Sequence, residues 1–145
     1  MLAMIRIQMI IADTGFFLAL LDRNDGHHKI AVTKLKQLNE PLVSTIPVIT
    51  EATHLILSRL GWPSLIRFIE SIDNGFVSLF EISIEHFSSM SKLMRKYRDL
   101  PMDFADASLV VLADSLGHGR VLSTDTRDFK TYRWKERKPF ENLLV

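Results

Sequence analysis

The chain has 145 residues, 47% of them hydrophobic and 24% charged, a balance that suits one folded domain and excludes the polar, charge-rich composition of disorder. Eighteen Lys and Arg against 17 Asp and Glu leave a net charge of +1, so affinity for a polyanion has to come from local patches. The absence of cysteine excludes disulfides, thiolate metal sites and cysteine nucleophiles, and is compatible with a reducing cytoplasm.

In chain order, the first eight residues carry one charge, at Arg6, and Met4 and Met9 offer alternative starts, so residues 1–8 read as an N-terminal extension. Asp13 and Asp22 interrupt the apolar run behind them, which argues against a signal peptide or a membrane span. A strand is expected over residues 6–12. It ends abruptly in Asp13, and Gly15 turns the backbone into a helical run over 16–21. Residues 22–28, with Asn24, Asp25 and Gly26, read as a loop. A helix follows over 28–38, with Ile30, Val32, Leu35 and Leu38 apolar, and then a short strand over 42–44. Pro47 opens a helix in which Ile49, Ala52, Ile56, Leu57 and Leu60 recur at helical spacing as far as Gly61, with Glu51 in the first turn.

Pro63 opens another helix that ends near Asn74 and Gly75, and residues 76–82 alternate and branch like a strand. Ser83 is the expected N-cap of a helix reaching Arg98. A loop over 99–102 leads to a helix over 103–116, stopped by Gly117. Val121 and Leu122 form a short strand, followed at once by Ser123, Thr124 and Asp125. Strands alternating with helices imply a single α/β domain with a mostly parallel sheet and helices on both faces. Right-handed crossovers would set the first and fourth strands in the sheet interior, close enough for Asp13 and Asp125 to meet.

Each acid has a structural role that competes with a chemical one. Asp13 and Asp125 are turn formers or N-caps when taken singly, but two carboxylates at the ends of two strands of one parallel sheet favour a site. Glu51 can complement a helix dipole. Asp103 and Asp106 share a helix face; Asp103 suits the N-cap, while Asp106 abuts the apolar run from Leu109 to Ala113 and needs a partner or a cation. Asp106 is therefore the third candidate ligand and Asp103 an accessory. Asp128 reads as a residue of a solvated loop or as the cap of a turn. Carboxylates gathered in one place repel one another, so such a cluster implies a hard cation held by oxygen ligands, Mg2+ or Mn2+. With such an ion a site can activate water and neutralise a phosphodiester.

Between residues 127 and 138 lie Arg127, Lys130, Arg133, Lys135, Arg137 and Lys138, interleaved with Phe129, Tyr132 and Trp134. Basic groups beside stacking rings suit single-stranded nucleic acid, which makes Arg127, Lys130 and Arg133 candidate substrate-binding residues, and Thr124 joins them because it directly precedes Asp125. The competing reading is a solvated basic face with its aromatic rings turned to the core, and Phe129 at least reads as core. Lys92, Arg95, Lys96 and Arg98 form a second basic stripe of the kind that commonly serves solubility.

Four stretches together resemble PIN-domain nucleases, most closely the VapC-type ribonuclease toxins. They are Ile10 to Thr14, Thr50-Glu51-Ala52, the run Met102 to Leu109, and Ser123-Thr124-Asp125 with Asp128-Phe129. The resemblance implies a three-layer α/β/α sandwich. It implies a metal site formed by Asp13, Glu51, Asp106 and Asp125 that cuts RNA with Mg2+ or Mn2+. Homodimerisation is also implied, as is a small VapB-like antitoxin whose segment occupies the groove. Two other readings stay open. Asp13-Thr14-Gly15 is the triplet of aspartic proteases, which would require a homodimer. A non-catalytic module that binds RNA or a protein is the third.

Overall fold

The computed structural model describes residues 8–145, so the extension, and the part of the expected first strand over residues 6–7, lie outside the described residues. From there the order is β1 (Ile10–Ala12), α1 (Thr14–Leu21), α2 (His28–Gln37), β2 (Leu42–Thr45), α3 (Ile46–Leu60), α4 (Trp62–Asp73) and β3 (Val77–Phe80). A 3-10 turn (Ile84–His86) precedes α5 (Phe87–Lys96), α6 (Phe104–Leu116), β4 (Arg120–Leu122) and α7 (Thr126–Thr131). A small hairpin of β5 (Arg133–Trp134) and β6 (Lys138–Pro139) and the last strand β7 (Glu141–Asn142) close the chain.

The main sheet runs β3-β2-β1-β4-β7, with every neighbouring pair parallel. β1 is central, Ile11 standing between Val43 of β2 and Val121 of β4. The expected adjacency of the first and fourth main strands is therefore present. β1 and β2 are buried along their whole length, as strands covered on both faces must be, whereas β3 at the edge is largely exposed. From β1 the chain steps outward through β2 to β3 and then returns to β4 on the other side. Right-handed crossovers in these two directions lay α1–α4 on one face and α5–α6 on the other, giving the three-layer α/β/α arrangement. The reversal between β1 and β4 opens a crevice at the carboxyl end of the sheet, where open α/β sheets bind their ligands. An Asp-Thr-Gly turn in a parallel α/β sheet does not fit the nearly all-β frame that the protease reading needs.

α6 explains how an acid can be held rigidly at that crevice. Its run from Ala107 to Ala113 is buried on all sides, the pattern of a helix embedded in the core, and Gly117 ends it with a left-handed φ of 78°. Two short hydroxyl bonds lock α6 and the central strands together. Ser44 Oγ donates to the Ala12 carbonyl at 2.7 Å, and Thr45 Oγ1 lies 2.6 Å from Ser108 Oγ.

Three expectations need correction. α3 begins at Ile46, so Glu51 sits in the second turn, where a dipole argument loses most of its force. The helix expected over 83–98 is split, because the Ser83 backbone N–H donates to His86 Nδ1 at 3.0 Å and tightens the first turn into a 3-10 helix. Beyond Asp125 the chain forms α7 and three short strands, and Asp128 is buried inside α7 rather than solvated in a loop. Among the described residues no helix is long and apolar enough to cross a membrane.

Candidate active site

Asp13, Glu51, Asp103, Asp106 and Asp125 all line one cleft of about 380 Å³ at the carboxyl edge of the sheet, together with Thr14, Thr124, Arg127 and Asp128. The acids arrive from the end of β1, the second turn of α3, the first turn of α6 and the loop after β4, so four distant stretches of chain meet. Larger cavities exist, but the one of about 660 Å³ between α1, α2 and α4 has a mainly apolar lining with no carboxylate, and the one of about 810 Å³ beside α5 is mainly basic, with Asp114 and Glu136 its two acids.

Asp13 is the most enclosed of the set, 8% exposed. It is the N-cap of α1, its Oδ1 accepting from the Thr14 N–H at 2.8 Å, while Oδ2 accepts from Ser123 Oγ at 2.9 Å. Burial pushes its carboxyl up to about 6 from 3.8. The two hydrogen bonds oppose that shift, and the charges of Glu51 and Asp125 add to it. Ser123 also accepts from the Asp125 N–H at 3.0 Å, so one buried hydroxyl fixes the spacing of the two strand-end acids.

Asp103 and Asp106 form a reciprocal cap. Asp103 Oδ1 accepts from the Asp106 N–H at 2.8 Å, and Asp106 Oδ2 accepts from the Asp103 N–H at 3.3 Å. The buried Tyr132 hydroxyl donates to the same Asp106 oxygen at 3.1 Å. Burial, with the charges of Asp103 and Asp13, raises the Asp106 carboxyl to about 8. Glu51 and Asp125 are raised too, mainly by burial, with Asp103 adding to the shift at Glu51. Asp125 caps α7, Oδ1 accepting from the Asp128 N–H at 3.0 Å. Arg127 is the one cation lining the cleft among the described residues; its Nε donates to Asp128 at 3.1 Å and Nη2 to the Leu100 carbonyl at 3.0 Å.

Gly15 is needed for closeness rather than for an unusual φ. A Cβ there would stand 2.0 Å from Thr124 Oγ1, so the turn after β1 and the loop after β4 are packed without a gap. Of the remaining substrate-binding candidates, Thr124 and Arg127 line the cleft. Lys130 is exposed on α7 and is not part of the lining. Arg133 lines a different groove, its Nη1 donating to the carbonyls of Lys130, Thr131 and Tyr132 at the end of α7. Phe129, Tyr132 and Trp134 are buried, so the rings expected to stack on bases belong to the core. Sequence reasoning does not single out Ser123 or Tyr132 as groups that position the acids. A helical spacing of three from Phe129 to Tyr132 was the one available signal.

Does this donor set suit a divalent cation? The donors are hard oxygens, the carboxyls resist ionisation in one another's presence, and the buried Thr14 Oγ1 has no hydrogen-bond partner among the described residues. The acids line the cleft rather than converge on one point: among the described residues no three acidic or imidazole groups form a ready-made cage. The fit is therefore one of chemistry, since an excess of negative oxygens lacks the positive charge that would balance it.

Comparison with known proteins agrees with the fold and places the chain in a family. Ribonuclease VapC26 of Mycobacterium tuberculosis is 26% identical over 124 residues, covering 86% of this chain and 92% of the relative. The crystal structure of Mycobacterium tuberculosis VapC20, described as a sarcin-ricin loop cleaving toxin, superposes with a TM-score of 0.74 at 16% identity. That match covers 80% of this chain and 89% of the other. The PIN domain pattern matches residues 10–135, most of the length and all of the acids described above, and the chain belongs to the PIN domain family.

Proposed function

We propose that this protein is a divalent-metal-dependent endoribonuclease that serves as the toxin of a toxin–antitoxin pair in the cytoplasm. The observation that carries the reading is the meeting of Asp13, Glu51, Asp106 and Asp125 from four chain segments in one cleft at the switch point of a parallel sheet. The similarity to ribonuclease VapC26 supports RNA as the substrate. A bound Mg2+ or Mn2+ would supply a water nucleophile at neutral pH and neutralise phosphodiester charge.

The chain's own groups have definable tasks. Asp13, fixed by Ser123 and the Thr14 N–H, is the most rigid oxygen donor, and Asp106 is aimed by Tyr132 and the Asp103 N–H. Glu51 and Asp125 complete the ligand set from opposite walls, with Asp103 at the rim as an accessory. Arg127 presents positive charge to a phosphate entering the cleft, and Thr124 sits beside Asp125 as a contact for the substrate.

A second copy of the chain is the proposed neighbour on one side of the cleft. Ile46, Phe87 and Phe104 are exposed there, Phe87 packing edge-on against Phe104, and Ile46 and Phe104 line an apolar hollow that shares Glu51 and Asp103 with the cleft. A VapB-like antitoxin segment is the proposed inhibitor that occupies the groove. The decisive experiment incubates purified protein with single-stranded and structured RNA in Mg2+, Mn2+ or chelator. Cleavage that needs the ion and disappears in Asp13→Asn supports the proposal, whereas cleavage in chelator, or by the variant, rules it out.

A further inference from the structure

Two basic stretches far apart in sequence fold onto one groove that the candidate active site does not use. This groove has a volume of about 810 Å³ and lies between α5, α6 and the β5–β6 hairpin. Lys92 and Lys96, one turn apart on α5, form one wall. Arg133, Lys135 and Arg137 form the other. Against these five cations stand Asp114 and Glu136, a surplus of three positive charges on a molecule whose total is +1, so the rest of the chain is net negative.

The hairpin holds its charges in place. Lys135 and Glu136 both adopt left-handed backbone, with φ of 44° and 66°, a conformation that costs energy in residues other than glycine and persists only where the surroundings enforce it. Asp114 helps enforce it by accepting the Lys135 backbone N–H. One oxygen of that carboxylate is thus engaged by the turn. The ammonium groups of Lys135 and Lys138 lie 6.0 and 5.0 Å from the centre of the Trp134 ring, which narrows the directions they sample. Arg133 is anchored by three carbonyls at the end of α7.

We propose that this groove binds the phosphate backbone of single-stranded RNA, as an exosite for the part of the substrate that extends beyond the cleft. Positive charge on both walls, with few apolar groups between them, suits a chain of phosphates better than a folded protein surface. α7 joins the two places, with Arg127 at its start in the cleft and Arg133 just past its end in the groove. At ~1.5 Å per residue its six residues span about 9 Å, the reach of one or two nucleotides of a strand. The role as an exosite rests on the nuclease reading, but the binding itself does not.

The test therefore measures binding in chelator, by fluorescence anisotropy of a labelled single-stranded RNA titrated with the full chain over a range of salt concentrations, and measures cleavage separately in Mg2+. Lys92→Gln with Lys96→Gln should weaken binding about tenfold at roughly 0.1 M salt and flatten the slope of log K against log salt by ~1.4, or ~0.7 for each lost phosphate contact. The control pair Lys29→Gln with Lys36→Gln removes the same charge from α2 and should change affinity less than about twofold with the slope kept. Equal losses in the two pairs, an unchanged slope in the groove pair, or tighter binding of poly-L-glutamate than of RNA would each overturn the exosite. Metal-dependent cleavage without the groove pattern would refute the groove alone. The groove pattern without cleavage would refute the nuclease reading alone.

Discussion

Replacing Asp13 by Asn should stabilise the metal-free protein and destabilise it relative to wild type once a divalent ion is present. The magnitude follows from the site. Burial holds the Asp13 carboxyl at about 6 against 3.8 in the ordinary state, and at ~1.4 kcal/mol per tenfold change in proton affinity the gap is about 3 kcal/mol. A carboxyl raised in the folded state contributes fully below the unfolded value near 3.8, and that contribution is lost as pH rises through about 6. At pH 8 the wild type therefore carries the whole penalty of an ionised, buried Asp13. Asn removes the charge and keeps an oxygen that can accept from the Thr14 N–H, while its amide must share the space before Ser123 Oγ. Some of the 3 kcal/mol is given back there, which leaves a net gain of roughly 1–2 kcal/mol. Urea unfolding in chelator should give that gain at pH 8 and lose it near pH 4, while saturating Mg2+ should stabilise wild type more than Asp13→Asn. A variant less stable than wild type at pH 8 in chelator would refute the account of Asp13 as a charge held against its preference.

Three further outcomes follow from the same geometry. Protons on Asp106, raised to about 8, and on Asp13, at about 6, must leave before a cation enters, so metal affinity should climb from about pH 5 and level only above about pH 9; calorimetry giving a flat profile over that interval would contradict it. Tyr132→Phe removes the hydroxyl that donates to Asp106, which should lower cleavage at neutral pH about tenfold, cost about 1 kcal/mol in thermal unfolding and move the pH profile upward. An unmoved profile would make Tyr132 a packing residue. Gly15→Ala drives a Cβ into Thr124 Oγ1, so the loop carrying Asp125 must shift, with an expected loss of ~1–3 kcal/mol and at least about a tenfold fall in cleavage. Wild-type melting and activity together would mean that the turn has slack which the packing does not suggest.

The parts of the site that could be read from sequence are those whose role is local. Asp13 and Asp125 follow short apolar strands directly, and a parallel sheet turns that sequence position into a place in space. Asp103 and Asp106 announced a capping pair by their spacing, and the pair is present with both carboxylates lining the cleft. Asp125 and Asp128 have the same spacing, and Asp125 caps α7 in one direction only, by accepting from the Asp128 N–H. What sequence did not disclose depends on contacts between distant segments. Ser123 looks like a turn serine until it is seen bridging to Asp13, 110 residues away. Tyr132 looks like a stacking ring until its hydroxyl is found on Asp106. The basic stripe on α5 reads as solubility because nothing in its own stretch reveals that the hairpin will face it.

This division has a physical reason. A carboxylate cluster opposes folding until a cation arrives, so the elements that hold it must draw their stability from elsewhere. β1, β2 and the interior of α6 do so with apolar contacts that reveal themselves by composition and periodicity. The groups that tune the cluster are single hydroxyls and N–H donors, which have no periodicity and acquire a role only when the sheet closes around them. Aligning two acids with one serine hydroxyl also couples their positions: a displacement of Ser123 moves the environments of Asp13 and Asp125 together. The cleft is thus built so that its two strand-end carboxylates are positioned as a unit, while Asp106 is held by Tyr132 and the cap of α6.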